Sequence, residues 1–264
     1  MYPRRSLARC RRAVVFDLDE TLGAFADASV LWRAVCSAGI SPPTEAAFSS
    51  FLDAFPQFIR PGIVPLLRDL CQARERGHID HIVIMTNNQG PPIWTERIAR
   101  HFARVNGAPV FDHIVHAYAG PEGRREKGRH GHDKSLEDLC ACCGWSQKAP
   151  PKICFIDDRF HSLSAAPGVI YVPVSPYRFL PSASSAARHI HSKLVQKPRW
   201  SIADMARYLV TQGMPPSSPV LSRASRDNQL LVQGLTMLIH GTLKRSQRKS
   251  RRRRGLTRRR LRFQ

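Results

Sequence analysis

Long apolar runs are missing from this sequence. No stretch reaches the roughly 20 apolar residues that a helix needs to cross a bilayer, and polar residues and glycines interrupt the longest candidate, Leu230 to Leu243. The apolar run near the N-terminus, Ala13 to Phe16, stops at Asp17, whereas a secretory signal needs about 7–15 apolar residues. These absences predict an intracellular protein with no transmembrane segment.

A disulfide pattern is also missing. The seven cysteines are an odd number and show no framework spacing, which is typical of free thiols in a reducing compartment.

Acidic residues are absent from both ends of the chain. The 264 residues carry 41 Lys and Arg against 20 Asp and Glu, a formal net charge of +21. Residues 1–12 hold five arginines and residues 244–264 hold 12 basic residues, with no acid in either arm. Because the part between the arms is nearly neutral, the pattern indicates a globular body with cationic ends and excludes a uniformly basic nucleic-acid-coating protein.

Changes in composition divide the chain into four parts. Residues 1–12 form a basic arm, and residues 13–213 form a globular domain with an insertion at 24–59. Residues 214–243 begin with a proline- and serine-rich linker and continue into an amphipathic helix at Leu230–Ile239. Residues 244–264 form an arginine-rich tail that cannot bury a core and is expected to be disordered.

Apolar runs that alternate with helical patterns predict an α/β fold. The runs are short and continuous, as in strands of a parallel sheet buried on both faces. The predicted strands are Ala13–Phe16, His81–Met85, Phe111–Tyr118 (the weakest), Ile153–Ile156 and Val169–Val172. The predicted helices are Val64–Ala73, Ile93–Val105 and Ser135–Cys143, with Val30–Ala38 and Thr44–Phe55 in the insertion. This alternation favours a sheet with helices on both faces.

Two carboxylates directly follow the first predicted strand. Asp17 and Asp19 lie at the carboxyl end of that strand, where α/β sheets build their sites. Two such groups can share a divalent cation, and Mg²⁺ prefers carboxylate oxygens. One can attack phosphorus while the other moves protons. An acidic loop of this kind can equally be a solvated turn.

Further polar residues follow in an order that suits phosphate chemistry. Thr86 and the pair Asp157-Asp158 each end a predicted strand, and they offer a hydroxyl and carboxylates. Lys134 offers a positive charge just before the helical pattern that starts at Ser135. Lys127 is a rival for this role, but it lies in a Gly- and Arg-rich segment, residues 120–132, that we interpret as a surface loop.

These residues together resemble the four motifs of the haloacid dehalogenase superfamily. The motifs are Asp17-x-Asp19-x-Thr21, Thr86, Lys134 and Asp157-Asp158, and they span residues 13–175. The resemblance implies a three-layer, Rossmann-like fold. Arg60-Pro61-Gly62 is similar to RNA polymerase C-terminal-domain phosphatases and NLI-interacting-factor-like relatives. The sequences around the motifs resemble a branch that large DNA viruses and protists encode, whose members often end in a basic tail.

The resemblance also implies roles for individual residues. Asp17 would be the nucleophile, and Asp19 would protonate the leaving group and then activate water. Thr86 and Lys134 would neutralise the transferred phosphoryl group. The Mg²⁺ ligands would come from Asp17, from Asp19 through its backbone carbonyl, and from Asp157 or Asp158, directly or through water. Thr21, Asn87 and Asn88 are candidate substrate-binding residues because they adjoin these motifs.

The predicted function is a Mg²⁺-dependent phosphatase acting through an aspartyl-phosphate. Since the insertion is too small for a full cap domain, we expect a macromolecular substrate, with a phosphoprotein favoured. One alternative is a nucleic-acid phosphatase guided by the basic tail. Another is a catalytically silent nucleic-acid-binding protein of the same fold. Nothing in the pattern indicates an oligomeric state.

The basic tail allows three interpretations. A nuclear or nucleolar address and nucleic-acid binding are compatible and favoured. Attachment to a membrane surface is the third, since the apolar pattern at Leu230–Ile239 precedes the basic run.

Two other clusters allow a functional and a structural interpretation. His130, His132, Cys140 and Cys143 could bind zinc, although the two cysteines also suit burial one helical turn apart. The insertion contains five aromatic residues that suit a small core or a substrate-contacting patch: Trp32, Phe48, Phe51, Phe55 and Phe58.

Overall fold

A five-stranded parallel sheet forms the centre of the fold. The computed structural model describes residues 12–39, 44–120, 123, 126–195 and 199–221. The strands are Arg12–Phe16 (β1), His81–Met85 (β2), His113–Val115 (β3), Lys152–Asp157 (β4) and Val169–Pro173 (β5). Their order in the sheet is β3-β2-β1-β4-β5. β1 therefore lies between β2 and β4, and its Val15 is opposite Val83 and Phe155.

All five predicted strands are present, and the bounds of four agree within one residue at each end. Phe111–Tyr118 was expected to be extended throughout, but β3 covers only His113–Val115. Asp112 ends the pairing on one side, because its carboxylate accepts a hydrogen bond from the Ile82 N–H at 2.9 Å and from Arg74 at 2.8 Å. The Asp112 N–H still donates to the Ile82 carbonyl at 2.8 Å, so the side chain replaces a backbone acceptor only for the Ile82 N–H.

Seven helices of the described residues surround the sheet. They are Phe25–Ala38 (α1), Glu45–Ala54 (α2), Ile63–Glu75 (α3), Pro92–Asn106 (α4), Leu136–Cys143 (α5), Ala183–Lys193 (α6) and Ile202–Thr211 (α7). Side-chain caps explain several starts: Thr44 accepts from the Ala47 N–H and Ser135 from the Asp138 N–H. Gly144 ends α5 in the left-handed conformation expected of a C-terminal glycine.

α1 begins five residues earlier than the pattern predicts. Asp27 lies in its first turn at a buried position, where an acid interrupts the apolar period. The carboxylate is paired with Arg178, whose Nε and Nη2 donate to it at 2.9 and 2.8 Å. Burial of this acid depends on a partner 151 residues away, which the local pattern does not reveal.

Each face of the sheet carries its own apolar core. Along β1, Val14 and Phe16 face a large core that includes residues of α1 to α4, α6 and α7. Ala13 and Val15 face a smaller core under α5 and the short 3₁₀ helix Ser162–Ala165. The chain therefore has the three-layer α/β architecture that was predicted.

The aromatic residues of the insertion belong to the large core. All five are buried, at 6% exposure or less. Phe48 packs edge-on to Trp94 of α4 at 5.3 Å, and Phe58 packs edge-on to Phe179 at 5.0 Å. The prediction that these residues are buried is confirmed, but they form part of the large core and not a separate small one, and burial leaves no patch for contact with substrate.

The segment predicted as a linker packs on the body. Pro215 and Pro216 accept hydrogen bonds from the Ala183 and Ser184 N–H groups at the start of α6. Val220–Leu221 (β7) then pairs antiparallel with Phe179–Leu180 (β6). The predicted helix Leu230–Ile239, the basic tail 244–264 and residues 1–11 lie outside the described residues. None of the described helices is long and apolar enough to cross a membrane.

Candidate active site

The site lies where the strand order of the sheet reverses. β1 and β4 are neighbours, but the chain leaves them toward opposite edges of the sheet. Asp17 follows β1, and its N–H donates to the Ile156 carbonyl at 2.9 Å. Asp157 ends β4. Parallel sheets form crevices at such switch points, so the two strands bring these carboxylates together by topology.

Lys134 joins the two strand ends. Its Nζ lies 2.5 Å from Oδ1 of Asp17 and 2.7 Å from Oδ2 of Asp157. Only 1% of Lys134 is exposed, and its carbonyl is held by the Leu163 N–H at 2.8 Å. The rival Lys127 is exposed. The structure thus places the ammonium group of Lys134 between the two predicted acids.

Three of the four predicted metal ligands form one group. Oxygens of Asp17, Asp157 and Asp158 all lie within 4.8 Å of one another. Burial, followed by the neighbouring charges of Asp17 and Asp157, raises the pKa of Asp158 to about 6. Burial also raises the pKa of Asp157. The carboxylate of Asp19 is not a member of this group.

These residues fit a Mg²⁺ ion. All the donors are oxygens, which Mg²⁺ prefers. When ionised, the three acids and Lys134 carry a net charge of −2, which a divalent cation would neutralise. Burial is the main cause of the raised pKa values of Asp157 and Asp158, and the charges of the neighbouring carboxylates add to the rise.

Asp19 lies in a different environment from Asp17. Its Oδ2 accepts a hydrogen bond from Nδ2 of Asn88 at 2.7 Å, while its buried Oδ1 has no partner among the described residues. Burial raises the pKa of Asp19 to about 7, and the charge of Asp17 adds to the rise. Asp19 can therefore hold a proton at neutral pH and exchange it.

Arg60 holds the loop that carries both acids. In this loop Glu20 has a left-handed φ of 61°. The buried guanidinium of Arg60 donates to the carbonyls of Glu20 at 2.5 Å, Thr21 at 2.7 Å and Ser175 at 2.6 Å. Burial lowers its pKa to about 10. Sequence reasoning found the Arg60-Pro61-Gly62 pattern but not this role, because the carbonyl partners follow only from the fold.

Two predicted substrate-binding residues are bound within the protein instead. The buried hydroxyl of Thr21 contacts Asp158 twice, at 3.3 Å from Oδ1 and 3.2 Å from the N–H. The Asn87 amide donates to the His132 carbonyl at 2.7 Å and accepts from Arg129 at 2.9 Å. Thr21 therefore orients Asp158, a member of the three-aspartate group, and Asn87 joins two loops.

Thr86 and Asn88 lie beside the acids. The fully buried Thr86 directly follows β2, and its N–H donates to the Val115 carbonyl at 3.0 Å. Its Oγ1 accepts the Asn88 N–H at 3.0 Å, so the hydroxyl proton remains available for another acceptor. Asn88 in turn donates a hydrogen bond to Asp19, which makes it the one candidate substrate-binding residue with a hydrogen bond to that carboxylate among the described residues.

Arg129 is the main residue that sequence reasoning missed. It lies in the segment interpreted as a surface loop, yet its side chain is fully buried. The guanidinium donates to Asn87 Oδ1 at 2.9 Å, to the carbonyl of Gly131 at 3.0 Å and to that of His116 at 3.2 Å. Asp138 lies 3.5 Å from its Nε. Arg129 thus fixes the loop that leads to Lys134.

A zinc site is not formed by the cysteines and histidines of this region. Cys140 and Cys143 are buried in α5, and His130 is exposed and hydrogen-bonded to Asp138 at 2.6 Å. Within the described ranges, the three-aspartate group is the one metal-type cluster found. The buried-cysteine interpretation agrees with this arrangement.

Comparison with known proteins assigns the chain to no family. No family model matches the sequence, and no curated protein matches it. What the site can do therefore follows from its own chemistry: a buried lysine between two acids, a third acid that completes an all-oxygen group, and a separate carboxyl group that titrates near neutrality.

Proposed function

We propose that this protein is a Mg²⁺-dependent phosphatase of the haloacid dehalogenase type, which hydrolyses phosphate monoesters through an aspartyl-phosphate on Asp17. One observation carries the proposal: two carboxylates two residues apart have opposite environments. Asp17 faces the ammonium group of Lys134 at 2.5 Å, whereas Asp19 forms no ion pair among the described residues and has its pKa raised to about 7. Such a divergence separates a nucleophile from an acid–base group.

The position of the residues in the fold supports the same assignment. The four motifs of the resemblance lie at the carboxyl ends of β1, β2 and β4 and directly before the N-cap of α5. These are the points of a parallel sheet that face a common crevice.

The reaction follows in two balanced steps. In the first, a carboxylate oxygen of Asp17 forms a bond to phosphorus, the ester P–O bond breaks, and Asp19 gives its proton to the leaving oxygen. In the second, Asp19 takes a proton from a water molecule as the water oxygen bonds to phosphorus and the bond to Asp17 breaks. Inorganic phosphate leaves, and both acids return to their starting states.

Two groups stabilise the transferred phosphoryl group in this proposal. Lys134 carries a fixed positive charge beside the attacking oxygen, and Thr86 has a hydroxyl proton to donate to a phosphoryl oxygen. Charge stabilisation of this kind supplies most of the catalysis in phosphoryl transfer.

Asp17, Asp157 and Asp158 would hold the Mg²⁺ ion, with Thr21 fixing the orientation of Asp158 through its hydroxyl. When bound, the ion supplies positive charge against the phosphoryl oxygens and lowers the repulsion between the phosphate and the acids. The protein's own contribution is to hold the carboxylates in place before the substrate arrives.

A phosphoenzyme trap tests the proposal. Wild-type protein is mixed with a ³²P-labelled aryl phosphate and Mg²⁺, quenched in acid, and treated with hydroxylamine, which cleaves acyl phosphates. We expect label on the protein that hydroxylamine releases, and none with EDTA or in Asp17→Asn. A catalytically silent binding protein would give no turnover and no label, and that result would overturn the proposal.

A further inference from the structure

Phe160 is unusually exposed for a residue next to a buried site. Its exposed fraction is 70%, against 38–43% for the other exposed large hydrophobic residues of the described chain. A single exposed apolar residue is ordinary on a protein surface. This one, however, lies two residues after Asp158, at the rim of the proposed active site.

The backbone beneath Phe160 is fixed. The Arg159 N–H donates to Oδ1 of Asp157 at 2.8 Å, and the Tyr171 hydroxyl donates to the Arg159 carbonyl at 3.1 Å. On the other side, the His161 N–H donates to Oγ of Ser164 at 3.1 Å. The ring is therefore presented to solvent by a segment tied directly to a metal-site acid.

One face of the Phe160 ring is open. The Tyr171 ring lies 5.9 Å away with its plane at 87° to that of Phe160. An edge-to-face neighbour covers at most one face of a ring. With 70% of the residue exposed, the remaining face is accessible to a flat partner.

Arg159, the residue before Phe160 in the sequence, supplies an exposed cation at the same rim. Its side chain is 76% exposed, and its nearest acid is Asp158, with Nε 3.9 Å from the carboxylate. Such a long, exposed contact contributes little, so the guanidinium is free to pair with a ligand. Arginine pairs with phosphate through two parallel hydrogen bonds.

We propose that Arg159 and Phe160 form a recognition platform for a phosphorylated end of a single-stranded nucleic acid. The terminal base stacks on Phe160, the next phosphodiester pairs with Arg159, and the terminal phosphate enters the site at Asp17. This inference rests on the proposed function. Proteins bind single strands by stacking bases on exposed aromatic rings and by pairing cations with the backbone phosphates, and Phe160 and Arg159 are consecutive residues that offer these two contacts. The two basic arms, which hold 17 of the 41 Lys and Arg residues and no acid, are complementary to the rest of a polyanion.

Binding without turnover tests the platform. Full-length Asp17→Asn is titrated with single-stranded tetranucleotides that carry 2-aminopurine at the terminal nucleotide and a phosphate at either the 5′ or the 3′ end. Quenching of 2-aminopurine reports stacking, and the same titration gives Kd. We expect one of the two ends to bind with quenching. Because the basic arms are present in every variant, their contribution cancels in ratios of Kd.

Matched variants separate stacking from other contacts. In the Asp17→Asn background, Phe160→Ala and Phe160→Leu should each raise Kd about tenfold and remove the quenching, whereas Phe160→Trp should retain both. Arg159→Gln should raise Kd and reduce the slope of log Kd against log salt by about one. Ile202→Ala removes an apolar side chain that is 39% exposed on α7 and serves as the control, with Kd unchanged.

Three results would overturn the platform: unchanged Kd in Phe160→Ala, full affinity in Phe160→Leu, or a phosphopeptide of matched length that binds tighter than both tetranucleotides. The last would assign the surface to a phosphoprotein. Failure of the function is distinguishable from failure of the platform. If wild type hydrolyses an aryl phosphate but tetranucleotide binding does not depend on Phe160, the platform is wrong and the phosphatase proposal stands. If binding depends on Phe160 but wild type hydrolyses no aryl phosphate, the phosphatase proposal is wrong and the binding surface stands.

Discussion

Asn88 donates a hydrogen bond from its Nδ2 to Oδ2 of Asp19 at 2.7 Å, and the other oxygen of that carboxylate is buried without a partner among the described residues. The amide is fixed for this task, because its Oδ1 accepts the Gly90 N–H at 2.8 Å and the Asn88 N–H donates to Thr86. Burial raises the pKa of Asp19, and the amide opposes that rise by stabilising the charged form. Asn88, which lies just after β2, thus lowers the pKa of Asp19, which lies just after β1.

The pH dependence of turnover should report this pair. The first step needs protonated Asp19, whose pKa is about 7, so kcat/KM for an aryl phosphate should fall about tenfold per pH unit above that value. Asn88→Ala removes a hydrogen bond that favours the ionised form of Asp19, so the pKa of Asp19 should rise. The alkaline limb of the plot of kcat/KM against pH should then move to higher pH. Measurement of kcat/KM from pH 5 to 10 checks both statements.

Asn87 provides the matched control. Its amide binds Arg129 and the His132 carbonyl and makes no hydrogen bond to Asp19. Asn87→Ala can lower the rate by loosening the loops, but the pH of the alkaline limb should stay in place. A limb that moves to lower pH in Asn88→Ala, or moves equally in both variants, contradicts the assignment of Asp19 as the acid.

Asp17 should be indispensable for turnover. Asp17→Asn replaces the attacking carboxylate with an amide, which cannot form the acyl phosphate, so kcat should fall about 10³-fold or more. Asp17→Ala, measured in parallel, guards against recovery of activity by deamidation of the asparagine. Hydrolysis near the wild-type rate in either variant would mean that another residue is the nucleophile.

Two lysines in one stretch of chain give a direct comparison. Lys134→Ala should lower kcat about 10²–10³-fold, as expected for loss of a group that stabilises developing charge. It also leaves the acids of the site without their cation, so Tm without metal should fall. The exposed Lys127→Ala should match wild type in kcat and Tm. If Lys127→Ala loses as much activity as Lys134→Ala, the choice between them is wrong.

Stability should depend on Mg²⁺ and pH together. Folded Asp158 has a pKa of about 6, raised from the ordinary 3.8, so the folded state holds extra protons between these values. Without metal, this group makes the free energy of unfolding fall as pH rises through that window. Mg²⁺ competes with the same protons, so its effect on Tm should be large at pH 8 and small at pH 5.

Thermal melts with Mg²⁺ or EDTA at both pH values measure this effect without any substrate. Asp158→Asn should reduce the Mg²⁺-dependent rise in Tm at pH 8. An equal rise at pH 5 and pH 8 would show that Mg²⁺ binds outside the aspartate group. Tightly bound zinc that is required for activity would instead favour soft ligands and reopen the cysteine and histidine hypothesis.

Much of the fold and of the site could be predicted because the relevant signals are local. Runs such as His81–Met85 are continuous and apolar, and this pattern is enough to place a buried strand and its carboxyl end. The same reasoning located Asp17 and Asp157, since each directly follows or ends such a run. The helical pattern after Lys134 favours this residue over Lys127, and α5 does begin two residues after Lys134, at Leu136.

The remainder depends on partners that are distant in sequence. The Thr21 hydroxyl binds Asp158, 137 residues away, and no local pattern distinguishes this from a hydroxyl that faces substrate. α6 was not predicted, because its buried face consists largely of alanines, which carry little apolar signal: Ala183, Ala186, Ala187 and Ile190. Arg129 has three arginine or lysine neighbours in the loop at residues 120–132, which shows no apolar period, so composition alone cannot single out the buried one.

Arg129 should therefore contribute more to the free energy of unfolding than its place in a polar loop suggests. Arg129→Ala removes the donors that serve Asn87, the His116 carbonyl and the Gly131 carbonyl, and it leaves the buried Asp138 without this cation. Breaking one side of such a buried network lowers the free energy of unfolding by about 3–5 kcal/mol. Urea denaturation of the full chain measures this loss.

A conservative variant and a surface control complete the test. Arg129→Lys keeps the charge but loses the planar fork that reaches several acceptors, so we expect a folded protein whose loop is poorly positioned, with kcat lowered about tenfold and KM changed less. Arg207→Ala removes an arginine whose side chain is 78% exposed on α7, where ion pairs contribute less than about 1 kcal/mol. Since Lys134 follows Arg129 by five residues, a kcat defect in Arg129→Lys without loss of stability would identify Arg129 as the residue that positions the catalytic lysine. Wild-type kcat together with wild-type stability in Arg129→Lys would limit the residue to a structural role that a lysine can fill.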